Sequence, residues 1–575
     1  MAWIRWLSVV VVVSGGAACG GDDASGGGGD SSSSDGSSST SPTPSTSSDE
    51  ADVSGSETSS EGSSSDTTGT TGDEPPEPTD ARVLYTVLHG TAEQDGTWLV
   101  DVEAGVLGTP VRVSEDVAYP VASSPSRRWR IDDGPALAAG AQVRLLDRDA
   151  VPIAPASTHD LGDDGELDSL RTHAFASDES AVAVLAVPFP ADTASIFTLA
   201  LDGATPATPW RADTALPGES FATDVAYLAG DDQLVLVTHD PATNVEGLAL
   251  VPASVDVPGA FASVVDAAVG EEIEFMAAAH DGSLLTYVAR DAATDRARGY
   301  VVELAALPAV PIELQLPSEE TRVGLIQLAP DDSGVAYSVR TPAQPSDTIS
   351  VWWSALVDGV PQAPIELAPD QQVYGVTAWS HDARWMALRV DGEPSRRLLV
   401  RLDDGTPSAP IDLGPLVDTL ADTSRSFTAD GWHYYLTQSD GAPTMVRVDV
   451  TGDSPGEPQT VLGPVDDVLE YEISDDGSTL VAATRGPGGG DYEGFAVDLR
   501  GSEPGVPVKF NAPMAAGEWV YRVSVTADGR ATAYERRSAD GSARFAHYVD
   551  LATPGAAVTL ADGIEIDGLG VRGRP

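Results

Sequence analysis

The acidic stretch at 160–168 holds the densest group of side chains that could bind a metal ion. Its carboxylates belong to Asp160, Asp163, Asp164, Glu166 and Asp168. Ca²⁺ prefers carboxylate oxygens at such short spacing, and the stretch partly matches a calcium loop. The match is incomplete, because Gly162 stands at the third loop position and Arg171 at the twelfth, where a bidentate Glu is required. Two interpretations stay open: a weak calcium site, and a solvated acidic loop between structural units.

Cys19 is the only cysteine of the chain, which excludes a disulfide within the chain and a multi-cysteine zinc site. It follows a basic Arg5, an apolar run over 7–13 and small residues over 14–18, the layout of an export signal. The apolar run is shorter than the ~20 residues that a transmembrane helix needs. The sequence therefore predicts an exported protein.

The segment Gly16-Ala17-Ala18-Cys19 resembles the lipobox of bacterial lipoproteins, with Gly16 where that family usually has Leu. The resemblance implies a signal peptide over 1–18, cleavage before Cys19, and lipid on the thiol and on the new amine of that cysteine. The alternative is an ordinary signal peptide that ends near a chance cysteine.

No familiar catalytic motif occurs in the rest of the sequence. The nearest approach to G-x-S-x-G is Gly218-Glu-Ser220-Phe-Ala222, and no H-E-x-x-H is present. His280 and His381 recur at one repeat position, but other repeats place Pro330 or Ala429 there. The acidic residues are too numerous for a catalytic pair to be picked out. We therefore predict neither catalysis nor a cofactor, and keep a hydrolase or lyase acting on envelope or extracellular polymers as the alternative.

The net charge and the hydropathy of the chain limit the classes of protein and partner that fit it. The formal net charge is -57 at pH 7 and the mean hydropathy is -0.09. A surface this acidic repels phosphate backbones, so we expect no nucleic-acid partner. A multi-spanning membrane protein is excluded by the hydropathy.

Residues 19–80 form a segment of low complexity. It consists almost wholly of Gly, Ser, Thr, Asp, Glu and Pro, and residues 20–80 include 14 acidic residues and no basic one. Such a composition cannot bury enough apolar surface to offset the entropy of ordering. The sequence predicts a disordered tether here, followed by one domain over 81–575.

Short apolar runs separated by Asp-Gly, Asp-Asp and Pro turns fill that domain. Equivalent turns lie at 279–282, 329–332, 381–384, 428–431, 474–477 and 526–529, with weaker copies near 123, 176 and 229. Each unit has four predicted strands in about 40–50 residues, a pattern typical of β-propeller blades. The turns and following strands resemble the TolB-like (WD40-like) repeat, which implies a propeller.

The two ends of the domain complement each other. Residues 82–113 contain the second, third and fourth strands of a unit, and 564–571 look like a lone first strand. We therefore predict an all-β propeller of about 8–10 four-stranded blades, closed by pairing of the N- and C-terminal strands. The functional prediction is a monomeric, non-catalytic lipoprotein. It would be held to a membrane, most plausibly the outer one, and its propeller would face the periplasm or the exterior and bind a protein or cell-envelope ligand.

Overall fold

The computed structural model describes most of the chain from residue 80 onward. The described ranges are 80–88, 95–104, 106–114, 119–133, 142–161, 166–189, 194–201, 209–217, 219–228, 230, 232–254, 261–266, 271–319, 321–342, 348–369, 371–417, 426–439, 441–561 and 565–573. In these ranges the structure is all-β, and its one helical segment is a 3₁₀ turn at Ala212–Ala215. None of the helical structure in these ranges could span a membrane.

The strands form ten antiparallel sheets, the blades of a propeller. Blade 1 contains β1 (Ala81–Leu88), β2 (Gly96–Glu103), β3 (Val106–Leu107) and β4 (Val111–Ser114). Blade 2 contains β5 (Tyr119–Ser123), β6 (Trp129–Asp133), β7 (Gln142–Asp147) and β8 (Ser157–Asp160). Blade 3 contains β9 (Glu166–Phe175), β10 (Ala181–Phe189), β11 (Ser195–Ala200) and β12 (Trp210–Arg211). Blade 4 contains β13 (Phe221–Tyr227), β14 (Gln233–Asp240), β15 (Val245–Pro252) and β16 (Ala262–Asp266). Blade 5 contains β17 (Glu271–Ala278), β18 (Leu284–Asp291), β19 (Arg296–Glu303) and β20 (Ile312–Glu313).

The second half of the ring follows the same plan. Blade 6 contains β21 (Arg322–Leu328), β22 (Gly334–Thr341), β23 (Thr348–Val357), β24 (Val360–Pro361) and β25 (Ile365–Glu366). Blade 7 contains β26 (Val373–Trp379), β27 (Trp385–Val390), β28 (Arg396–Asp403), β29 (Thr406–Pro407) and β30 (Ile411–Pro415). Blade 8 contains β31 (Trp432–Ser439), β32 (Ala442–Asp449) and β33 (Gln459–Leu462). Blade 9 contains β34 (Asp467–Ile473), β35 (Thr479–Arg485), β36 (Tyr492–Asp498) and β37 (Val508–Lys509). Blade 10 contains β38 (Trp519–Val525), β39 (Ala531–Arg537), β40 (Arg544–Asp550) and β41 (Val558–Ala561).

The C-terminal strand closes the ring. This strand, β42 (Glu565–Gly573), pairs antiparallel with β1 and completes blade 1, with Val83 opposite Val571. The prediction that 564–571 supplies the missing first strand is thus confirmed, as is the upper end of the predicted blade count. Pairing of the two ends means that β1 is hydrogen-bonded on both sides and does not form a free edge.

The core is divided among the interfaces between blades. Buried apolar side chains of the described residues form ten clusters, and each cluster joins the sheets of two neighbouring blades. One of them packs Ala533 and Tyr548 of blade 10 against Val83 and Val571 of blade 1. An open arc of ten blades would have only nine such interfaces, so the tenth cluster reflects closure.

Polar clamps reinforce several of these interfaces at the turn between the third and fourth strands. A donor on the third strand of one blade bonds to a carbonyl oxygen in that turn of the next blade. Trp353 Nε1 donates to Gly405 O at 2.7 Å, and Arg401 Nη1 donates to Asp453 O at 2.6 Å. These bonds fix the angle at which successive blades pack, and so position the inner strands.

Candidate functional site

Three of the six candidate site residues from the sequence lie beyond the described ranges. Cys19, Asp163 and Asp164 are outside the described residues. Asp160 ends β8, and Glu166 and Asp168 lie in β9, but their side chains are likewise outside what the structure describes. In the part of the chain that is described, no group of three or more His, Cys, Asp or Glu side chains could hold a metal ion. The lipid and calcium sites stay predictions.

The recurrent aspartates of the first turns have a structural role. Asp476 Oδ1 accepts hydrogen bonds from Ser474 Oγ at 2.6 Å and from the Ser478 amide at 2.9 Å. Asp528 makes the same pair of bonds, to Thr526 Oγ1 at 2.7 Å and to the Arg530 amide at 3.2 Å. A side chain that binds its own turn in this way stabilises it. These aspartates are therefore turn residues and not ligands for a metal ion.

The first strands carry irregularities where they line the central channel. The register shifts between Ala222 and Asp224 in β13, between Ile273 and Phe275 in β17, and between Val468 and Glu470 in β34. The same shift recurs in β5, β21, β26 and β38. A bulge of this kind leaves a residue unpaired and turns its neighbours toward a new direction. The bulges therefore interrupt the regular alternation of side chains along these inner strands.

Carboxylates of blade 9 cap the inner edge of blade 10. Glu470 Oε2 accepts a hydrogen bond from the Val523 amide, and Glu472 Oε2 accepts one from the Val525 amide, both at 3.0 Å. An inner strand has no further strand to pair with, so its amides need other acceptors. Two glutamates, spaced so that both face the same neighbour, supply them.

An ion pair joins blade 9 to blade 2. Arg127, in the first turn of blade 2, donates to Glu472 Oε1 of β34, although the two residues are 345 positions apart in the sequence. Blades 10 and 1 lie between blades 9 and 2 in the ring. The Arg127–Glu472 ion pair therefore lies on the channel side of blades 10 and 1. Side chains from distant parts of the chain therefore meet at the first-turn end of the channel.

The carboxylates in this region are unusual acids. Burial, with smaller contributions from the nearby Glu472 and Glu535, raises the pKa of Glu470 to about 7, whereas the Val523 amide and Arg522 oppose the rise. Burial likewise raises the pKa of Glu535, against the pull of the neighbouring Arg537. Titratable groups with strongly shifted pKa values occur often at functional sites. Near neutral pH, Glu470 is poised to donate or accept a proton.

Several arginines lie beside this region at the junction of blades 1 and 2. Arg82 Nη1 donates to the carbonyl oxygens of Arg148 at 2.6 Å and of Ala150 at 2.8 Å. Arg572 of β42 pairs with Asp149 at 3.0 Å. The channel end thus carries the carboxylates of Glu470, Glu472 and Glu535 on blades 9 and 10 and guanidinium groups on blades 1 and 2.

A separate open cavity lies at the outer rim of blade 5. It is lined by β19, β20 and the connection to blade 6. Its facing charges, Arg298 and Glu313, already pair with each other at 3.1 Å. The rim cavity is lined by residues of blade 5 and its connection to blade 6, whereas the charged groups of the channel end come from blades 9, 10, 1 and 2.

Sequence reasoning did not find the channel-end residues. The signal that could have found them is the pair Glu470 and Glu472 in Leu469-Glu-Tyr-Glu-Ile473, where charges interrupt an otherwise apolar strand. Alternation of polar and apolar residues is also what any half-exposed strand shows. Only the position of β34 in the ring distinguishes glutamates at the channel end from the polar residues of an ordinary half-exposed strand.

Comparison with known proteins finds distant similarity to solved structures, β-propellers among them. No family model matches the chain, and no curated protein does. Among solved structures, the Dos1 propeller is 12% identical with a TM-score of 0.37, and covers 65% of this chain and 91% of its own. The dihydro-heme d1 dehydrogenase NirN is 13% identical with a TM-score of 0.36, and covers 79% of this chain and 76% of its own. The β-propeller domain of the Trilobed protease from Pyrococcus furiosus is 12% identical with a TM-score of 0.28. It covers 60% of this chain and 96% of its own.

Proposed function

We propose that this chain is a lipid-anchored β-propeller that binds a protein or cell-envelope ligand at the first-turn end of its channel. The observation that carries the binding role is the ion pair between Arg127 and Glu472, because it brings blades 2 and 9 together at one place. Around it lie Glu470, Arg522 and Glu535. Charged groups that converge from separate blades recognise a ligand by complementary charge.

The test of binding compares charge variants of the full chain. Purified protein in detergent is sedimented with isolated outer-membrane and cell-wall fractions, and the bound share is measured. We expect the parent to co-sediment saturably and Arg127→Ala to lose at least roughly tenfold in affinity, the usual result of removing one partner of a buried charge pair. The matched control is Arg500→Ala, which removes an exposed ion pair with Asp498 of the same blade 9. Equal binding by all three proteins would refute the proposed surface.

The anchor is proposed from the lone Cys19 behind an export-type signal. We expect Cys19→Ala to abolish incorporation of labelled fatty acid and to release the protein from membranes, because stable attachment needs more than one acyl chain. A Ser14→Ala variant in the same signal serves as the control. Unchanged membrane retention of the Cys19→Ala protein would refute the anchor and leave the binding proposal intact.

A second candidate function, a hydrolase or lyase for envelope or extracellular polymers, is supported by Glu470. A carboxylic acid with a pKa of about 7 beside further carboxylates resembles a general acid in its environment. The measurement is release of new chain ends from polysaccharide and cell-wall substrates by the parent and by Glu470→Gln. Product formed by the parent and not by the variant would favour catalysis over simple binding.

A further inference from the structure

Arg148 is a buried cation for which no ion pair is found among the described residues, since the carboxylate of the adjacent Asp149 pairs with Arg572. It follows β7 in the turn between the third and fourth strands of blade 2, and only 5% of it is exposed. Its one side-chain hydrogen bond among the described residues runs from Nη2 to Gly570 O at a long 3.3 Å. Its Nε atom is buried and has no partner there. A buried charge is costly unless it is paired, so an unpaired guanidinium needs an explanation.

The surroundings of Arg148 add positive charge. Burial, followed by the nearby Arg127, Arg572 and Arg130, lowers the pKa of Arg148 to about 9, and Asp149 opposes this shift. Arg572 uses one side of its guanidinium to pair with Asp149, while its buried Nη1 atom is also without a partner among the described residues. Two guanidinium groups therefore present unused donors at one place.

The position of Arg148 is fixed by the fold. Arg82 donates to the backbone carbonyl of Arg148 and to that of Ala150, which holds the turn. The guanidinium lies against Gly570, where an added Cβ would be 3.7 Å from both Nη atoms. Arg127, Arg148 and Arg572 all lie on the first-turn side of the ring, because the first turn and the turn after the third strand share that side. The donors are thus preorganised at the channel end.

We propose that Arg148 and Arg572, with Arg127 nearby, bind an oxyanion: a carboxylate or phosphate group of the ligand. The planar fork of a guanidinium matches the oxygens of either group, and one oxyanion can bridge two such forks. The chain carries a net charge of -57, so its general surface repels anions and cannot account for such binding. This inference rests on the proposed binding function and specifies a chemical group that the ligand must carry.

The experiment uses inorganic phosphate and succinate as separate probes. Thermal unfolding of the full chain is followed at constant ionic strength, with chloride replacing each probe. We expect a saturable rise in Tm of roughly 1–3 °C at about ten times the Kd. A response to phosphate alone or succinate alone identifies which oxyanion the site takes, and a response to both supports the shared chemistry. No saturable response to either would overturn the proposal.

Variants decide whether Arg148 is responsible. Arg148→Met should abolish the response, while its Tm without probe stays at or above that of the parent, because an uncompensated buried charge has been removed. Arg128→Met is the matched control: Arg128 lies in the adjoining first turn, has a half-exposed side chain and pairs with Asp147, so the response should persist. An equal response in Arg148→Met would overturn the site. If that variant does not fold, Arg148→Lys tested by calorimetric titration with the same probes should bind at least roughly tenfold more weakly.

The outcomes separate this inference from the proposed function. Loss of the phosphate or succinate response in Arg148→Met, together with loss of envelope binding, supports both. If the parent chain binds an envelope fraction but responds to neither phosphate nor succinate, the oxyanion site is refuted and the proposed function is not. A parent that binds the probes but no envelope fraction refutes the proposed envelope ligand and keeps the oxyanion site.

Discussion

At the scale of single residues, the protein buries an acid whose pKa is raised and two bases whose pKa values are lowered. Glu470 is held near the channel with a pKa of about 7. His433 and His547 are buried in the core, and burial is the main cause that lowers the pKa of each. His547 stacks on Tyr534 with ring centroids 4.8 Å apart. The glutamate favours the folded state at acidic pH, and the histidines favour it at neutral pH.

The Glu470→Gln variant should remove one pH dependence of stability. The folded-state pKa of about 7 exceeds the ~4.5 of an unfolded glutamate, so the folded protein binds more protons between these values. Stability from Glu470 is fully present below about pH 4.5 and is lost as the pH rises through 7, by up to roughly 3 kcal/mol. Denaturant unfolding at pH 5 and pH 8, in parent and variant, measures it. Identical changes between the two pH values in both proteins would contradict the assignment.

The His547→Gln variant should remove a pH dependence of stability whose sign is opposite to that of Glu470. Burial lowers the folded-state pKa to about 4, below the ~6.5 of an unfolded histidine. Stability from the neutral ring is present above about pH 6.5 and is lost as the pH falls toward 4, by roughly 3 kcal/mol at most. We expect the free energy of unfolding to change less between pH 4 and 7 for the variant than for the parent. His280→Gln, which changes an exposed turn histidine, provides the control.

At the scale of elements, the first turn of each blade does two things. It reverses the chain between the first two strands, and it packs on the next blade. The fourth position of the turn takes a left-handed conformation at Gly477 (φ +71°), Gly529 (φ +68°) and Asp332 (φ +57°). Ala383 (φ +56°) is equivalent to them, because the turn of blade 7 begins at Ser380 in the structure, one residue before the predicted 381–384. The amide of Asp476 also donates to the Ala527 carbonyl of the next blade. The repeat signature therefore encodes both turn shape and blade spacing.

A pair of glycine variants should separate these two roles. A Cβ at Gly529 would lie 2.4 Å from both Ser478 Oγ and Thr479 Oγ1 of blade 9, whereas one at Gly555 (φ +86°) meets nothing within 4 Å. Both substitutions carry the strain of a positive φ, about 1 kcal/mol. Only Gly529→Ala adds a clash, so it should lower the free energy of unfolding by roughly 1–3 kcal/mol more than Gly555→Ala. Equal effects in denaturant unfolding would show that the turn does not set blade spacing.

At the scale of the whole molecule, the ring depends on its two ends. Val571 of β42 is buried against Val83 of β1 and against Ala533 of blade 10, so β42 contributes to two blades. Its amide also donates to Ser524 Oγ of β38 at 3.4 Å. The last strand is therefore part of the core, and the ring is continuous only when it is in place.

Deleting residues 562–575 should be severely destabilising. The deletion exposes the unpaired edge of β1 and removes apolar contacts worth roughly 1.5–3 kcal/mol for each buried side chain, a large share of the ~5–15 kcal/mol typical of a domain. We expect a strongly lowered midpoint of thermal unfolding and new aggregation. A control deletion of 574–575 spares β42 and should behave like the parent. A midpoint within a degree or two of the parent for the longer deletion would contradict closure by this strand.

The sequence by itself determined the fold class, the repeat and the closure. Asp-Gly turns at 428–431, 474–477 and 526–529 mark one local unit each, and local turn chemistry is written in neighbouring residues. The lone first strand near 564–571 could be matched to the incomplete unit at 82–113 because each blade has the same number of strands. Such features depend on periodicity, which a single chain displays without its tertiary structure.

Only the tertiary structure decided where a site could form. With 89 acidic residues in the chain, no local pattern distinguishes Glu470 or Glu472 from a solvated carboxylate. Their capping of the Val523 and Val525 amides, and the contact of Glu472 with Arg127, arise when ring closure brings blades 9, 10, 1 and 2 around one channel end. The buried charge of Arg148 has the same origin, because its burial depends on β42. Burial and charge pairing between distant residues are set by the closed ring, and that geometry is absent from any single repeat.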